Sequence, residues 1–214
     1  MPGSTRPRAA RPARRRPDRY HHGDLRRAML QEAVRTIQTQ GADALTLRGV
    51  GERLGVSRTA LYRHFADKQA LLDDVAAEGF RTLRAALLDA WVGGGEGRDA
   101  LNAMGVAYVR FAVTHPSHYR VMFGALASAR PHEAPKPTGE GGDAFEVLVD
   151  AIRAQQRDGV VRGDDPRQLA LYISAVVLGL AMLALDGVLP PNVDVLELTP
   201  FANARLRTGI DVDR

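Results

Sequence analysis

The sequence predicts an all-α protein in two unequal helical units, and three observations predict it. Apolar residues recur at three- and four-residue intervals along nearly the whole chain, the period of one face of a helix. The intervals are punctuated by helix signals, with Asp, Ser or Thr ahead of an apolar run and Gly or Pro after it. No segment alternates apolar and polar residues with the two-residue period of a strand, and no internal repeat is visible.

The 214 residues are 45% hydrophobic and 25% charged, the balance of a globular protein with a sizeable core. There is no cysteine, which excludes disulfides, iron–sulfur clusters, thiol catalysis and Cys-based zinc sites and fits a reducing, cytoplasmic setting. The first twenty residues hold no apolar run, so no secretory signal is expected. The net charge of +4 is unevenly spread. In residues 1–19 seven arginines face Asp18, a charge of +6; residues 20–68 carry eight basic and five acidic side chains, a charge of +3; residues 69–214 are net −5. A basic front and an acidic back suit a protein that meets a polyanion with one end.

In chain order, residues 1–19 read as a disordered basic tail. Asp24 is placed to cap a first helix carrying Leu30, Ala33, Val34 and Ile37, ended by Gly41. Thr46 caps a second helix to Leu54, where Gly55 stops it, and Ser57 caps a third to about Phe65. Asp67 opens a long helix with Leu71, Leu72, Val75, Phe80, Leu83 and Leu87 in one stripe, reaching Trp91 before Gly93-Gly94-Gly95. Some 25 residues make a rod of nearly 40 Å, the natural lever between the two ends. Asp99 to His115 is helical and broken by Pro116. A short apolar helix covers His118 to Gly124, and three prolines and three glycines make 129–142 a loop. Asp143 to Asp158 is amphipathic, with Phe145, Leu148, Val149 and Ile152 inward. Asp165-Pro166 starts a helix whose residues Leu169 to Leu185 hold no charge. That is borderline for a membrane span of about 20 residues, and it reads instead as a helix meeting its own core on one side and a second copy on the other. Val193 to Leu206 forms a weaker helix interrupted by Pro200; with the preceding helix it is the expected dimer surface.

The chemistry concentrates in Thr46 to Lys68. Leu61 and Phe65 point one way, toward Val50 and Leu54 of the preceding helix, while Thr59 and Arg63 point almost opposite, flanked by Ala60 and Tyr62. A small helix face of Thr, Arg and Ala suits a DNA major groove: Arg donates a bidentate pair to guanine, and methyl groups meet the thymine methyl. Thr46, Arg48, Ser57, Arg58, Tyr62, His64 and Lys68 complete the expected DNA-binding set, mostly by holding phosphates.

The ordered string Thr46, Arg48, Glu52, Arg53, Gly55-Val56-Ser57, Leu61-Tyr62, Phe65, Lys68 and Leu71 resembles the helix-turn-helix of TetR-family transcriptional regulators, a bacterial family. Gly49 and Gly51 depart from the pattern, where an acidic residue and an alanine are commoner. Each costs about 0.5–1 kcal/mol relative to Ala in a helix interior, though Gly51 also permits a close helix crossing. Tyr20-His21-His22-Gly23-Asp24-Leu25, His115 to Gly124 and Leu185-Asp186-Gly187 look like the WHG type of C-terminal domain, although Tyr172 and Leu178-Gly179 stand where its Trp and His-Gly are expected. The resemblance implies a helix-turn-helix DNA-binding domain at 20–68 and a ligand-binding and dimerisation domain at 69–214. It implies a homodimer on double-stranded palindromic DNA, and a repressor released by a small, mostly apolar effector. The candidate pocket residues are Trp91, Tyr108, Phe111, Tyr119, Met122, Phe123, Phe145 and Tyr172. No cofactor, metal, membrane or catalytic residue is expected. Two alternatives remain: a constitutive DNA-binding protein without a ligand, and an enzyme using His115, His118, His132 and Glu133. The enzyme reading lacks a phosphate-binding glycine motif and a nucleophile elbow. Adjacent His21 and His22 point apart and make a poor chelating pair.

Overall fold

The computed structural model describes residues 22–95, 97–123 and 140–210. The basic tail, residues 129–139 of the loop expected at 129–142, and His132 and Glu133 lie outside the described residues, and residues 140–142 of that loop are helical instead. Among those described the chain is all helical, with no strand: α1 (His22–Gln40), α2 (Leu47–Leu54), α3 (Arg58–Tyr62), α4 (Lys68–Gly93), α5 (Arg98–Thr114), α6 (Pro116–Phe123), α7 (Glu140–Arg157), α8 (Pro166–Leu185) and α9 (Val195–Ile210).

Three expectations need correction. Helix α3 ends at Tyr62 rather than near Phe65: the His64 amide bonds the Leu61 carbonyl at 2.9 Å and a turn follows. Helices α1 and α7 begin ahead of Asp24 and Asp143. Pro200 does not interrupt α9, which runs unbroken through it. A proline in a helix interior costs about 3 kcal/mol. Against that stands a buried stripe of Val195, Thr199, Asn203, Leu206 and Ile210. Asn203 also donates to the Asn102 side chain of α5 at 3.0 Å. Tertiary burial outweighs the local penalty.

Helix α4 is the spine, packing on α1 at its start and on α5, α6 and α7 beyond. One apolar cluster runs along it from Met29, Val50, Leu61 and Phe65 in the head to Leu83, Met104, Phe111 and Tyr119 in the body. Helices α7, α8 and α9 close a second cluster around Val149, Ile152 and Leu169, and α5, α8 and α9 a third around Val109, Val177 and Val195. Helix α8 is capped by Asp165, whose carboxylate accepts from the Arg167 amide at 2.7 Å. It turns Leu169, Ala170, Val177, Leu180 and Ala181 inward but leaves Leu171, Tyr172 and Leu183 exposed.

Candidate nucleic-acid interface and apolar cavity

The head is assembled by local signals. Thr46 Oγ1 accepts from the Gly49 amide at 3.0 Å, Ser57 Oγ from Ala60 at 3.3 Å, and Asp67 Oδ1 from Ala70 at 2.8 Å, so each of the three caps is made. Gly55 sits at φ 66°, the left-handed conformation that ends α2 and turns the chain into α3. Leu61 and Phe65 are buried at 2% and 3% exposure. A β-carbon on Gly51 would collide with Leu61 Cδ1 and lie 3.1 Å from Cγ, so any larger residue there must displace the buried Leu61 side chain where α2 and α3 cross.

That packing turns Ser57, Arg58, Thr59, Tyr62 and Arg63 outward, with Ala60 half-buried among them. The Arg58 guanidinium lies 5.4 Å from the centre of the Tyr62 ring. Arg48 projects from α2 and pairs with Glu52 at 2.8 Å. Thr46 is occupied as a cap, and the Lys68 ammonium donates to the Ala42 carbonyl at 2.9 Å, tying α4 to the turn after α1. The His64 carbonyl accepts from Arg26.

Sequence reasoning assigned no bracing role to two arginines. Arg53 Nε meets Glu32 Oε1 at 2.6 Å and its Nη2 donates to Thr36 Oγ1 at 2.7 Å, fastening α2 to α1. Arg26 pairs with Asp74 and lies 4.7 Å over the Phe65 ring, joining α1, α4 and the segment after α3. Their partners are distant in sequence, so no local pattern signals them. Together they hold the exposed helix against the head.

The body holds a partly open apolar cavity of about 180 Å³ between α4, α5, α7 and α8, with Phe123 among its lining residues. Of the expected pocket residues, Tyr108, Phe123 and Phe145 line it. Trp91, Phe111, Tyr119 and Met122 pack in or against the core beside it, and Tyr172 is 51% exposed on the outer side of α8. Leu83, Met104, Leu148, Ser174 and Val177 are among the lining residues that sequence reasoning did not name. The Tyr108 and Tyr119 hydroxyls lie 3.2 Å apart and their rings meet edge to face. Burial pushes both phenols above the usual tyrosine range; the contact with Tyr119 raises Tyr108 further, whereas the hydrogen bond to Tyr108 opposes the shift at Tyr119, and both stay protonated.

His115 stacks on Phe111, and His118 lies on the neighbouring turn, with ring centres 6.1 Å apart. Among the described residues no group of His, Asp and Glu could hold a metal ion. Burial holds the His118 pKa below its ordinary value; Glu78 of α4 opposes this shift and His115 reinforces it. The unfolded chain therefore takes up the proton first as pH falls below about 6.5, and stability drops over that range. Chemical unfolding at about pH 7.5 and about pH 5.5 should give a smaller midpoint difference for His118→Gln than for the natural protein.

A three-helix head with the exposed face of α3 turned outward, joined by one continuous helix to a helical body with a cavity, defines a helix-turn-helix transcriptional regulator. Residues 29–75 match the family model of bacterial regulatory proteins of the tetR family, and residues 101–202 match that of the tetracyclin repressor-like C-terminal domain. The chain belongs to the TetR family. A solved protein of unknown function from Rhodococcus sp. RHA1 is similar over 91% of this chain and 100% of its own, at 33% identity and TM-score 0.80. An uncharacterised HTH-type transcriptional regulator of Mycobacterium tuberculosis is 27% identical over 83% of this chain and 92% of its own. The tetracycline repressor protein class C of Escherichia coli is 45% identical over 51 residues, 24% of this chain and 23% of that protein.

Proposed function

We propose that the chain is a cytoplasmic repressor that binds a palindromic operator as a homodimer and leaves it when a small apolar effector enters the body. The head of residues 20–68 reads DNA and the body of residues 69–214 binds the effector and the second copy. Arg58, Thr59, Tyr62 and Arg63 face the groove, and Arg63 is the base-reading residue. One observation carries the reading beyond DNA binding: α8 walls the cavity with Leu171, Ser174 and Val177 while leaving Tyr172 and Leu183, which do not line it, exposed on its surface. Helix α8 is long and apolar enough to cross a bilayer. The inward packing of Val177, Leu180 and Ala181 against the body favours a second copy as the cover. Two heads related by a twofold axis would read half-sites one helical turn, about 34–36 Å, or a multiple of it apart.

Selection from a random duplex pool at about 150 mM salt tests the dimeric reader. The expected result is an enriched palindrome. In the same assay Arg63→Ala costs about 1–3 kcal/mol and relaxes preference at one position in each half-site. Enrichment of a single unrepeated half-site would overturn the dimer, and an unchanged logo for Arg63→Ala would remove that residue from the readout.

A further inference from the structure

We infer that the cavity takes an uncharged ligand of roughly one ring that carries one hydrogen-bond acceptor, seated on the Tyr108 hydroxyl; this rests on the reading of the chain as an effector-responsive regulator. Among the described residues the lining holds no charged side chain. An ionised ligand would give up its hydration there with no counter-charge in return. The volume of about 180 Å³ slightly exceeds the roughly 150 Å³ known to admit benzene, which limits the ring count. Phe80 and Phe123 meet edge to face at 5.4 Å on the wall and offer flat apolar surface to a ring.

The polar contact follows from proton counting. A hydroxyl has one proton and two acceptor positions. Two phenols joined by one hydrogen bond use one proton and leave one to place. Tyr119 is fully buried and off the wall, whereas Tyr108 lies on it. Tyr119 therefore donates to Tyr108, and the Tyr108 proton faces the cavity. Accepting from Tyr119 polarises the Tyr108 hydroxyl and strengthens it as a donor. Ser174, on the α8 side of the cavity, is the other hydroxyl on the lining.

Three probes of similar shape separate the claims: acetophenone, with a carbonyl acceptor; ethylbenzene, without one; and benzoate, which is charged. They are titrated by calorimetry into the full chain, and operator affinity is measured alongside. The ketone should bind about 3- to 10-fold tighter than the hydrocarbon, the worth of one neutral hydrogen bond, with benzoate weakest. Tyr108→Phe should remove the ketone's advantage while leaving ethylbenzene affinity within about 2-fold, which also shows that the variant is folded. Tyr119→Phe should keep part of the advantage and Ser174→Ala all of it. No binding of any probe, equal binding of ketone and hydrocarbon, tightest binding by benzoate, or an advantage that survives Tyr108→Phe and vanishes in Ser174→Ala would each overturn the inference. A ketone bound through Tyr108 that leaves operator affinity unchanged would support it while overturning release by effector. An operator released by benzoate alone would do the reverse.

Discussion

Replacing Tyr172 and Phe201 together by aspartate should leave the protein monomeric and lower operator affinity by about 10²- to 10⁴-fold, the advantage lost when two linked heads become independent. Both residues are more than half exposed in the single chain, at 51% and 57%. Such surface substitutions usually change stability by no more than about 0.5 kcal/mol. Neither lies on the cavity wall, so binding of an apolar probe should survive and serves as the control for folding. In a dimer across α8 and α9 the same carboxylates would be taken from water beside apolar neighbours, a cost that Arg205, 5.2 Å over the natural Phe201 ring, offsets at position 201 alone. Sedimentation with and without the substitutions, followed by operator titration, makes the test. A dimer that persists would move the interface off α8 and α9.

Gly51→Val should have the second largest effect. Propensity alone points the other way, since valine is a few tenths of a kcal/mol better than glycine within a helix. Packing decides against it. The added carbon falls on Leu61, which is 2% exposed and hemmed in by the head core. Overfilling such a site costs about 1–3 kcal/mol. Relief by separating α2 from α3 would turn the recognition face, so operator affinity should fall together with the unfolding midpoint. Adding Leu61→Ala should recover part of the Gly51→Val loss, a non-additivity expected only for side chains in contact. Purely additive losses would show that the two residues do not compete for the same space.

Most of the head was legible because its signals are local. Thr46, Ser57 and Asp67 make the hydrogen bonds their positions imply, and Gly55 adopts the conformation that ends a helix before a tight turn. The division of α3 into buried Leu61 and outward Thr59 and Arg63 follows from helical period alone. The body was less legible. Period shows that Phe111 and Met122 face inward, but not whether the inward space is filled or hollow, because that depends on helices from elsewhere in the chain. Helix α8 is apolar all round and carries no signal for its outer face, so Tyr172 reads as interior and stands outside.

By itself the sequence determined the all-α class, the family, and the caps, turn and outward face of the helix-turn-helix, the last three resting on contacts within a few residues. The tertiary structure alone decided that α9 runs through Pro200, that Arg26 and Arg53 brace the head, and that a cavity opens beside Tyr108. It also decided that Gly51 is a crossing point rather than a weakness. Each of these depends on groups brought together from distant parts of the chain, where a close-packed interior, not local preference, sets the free energy.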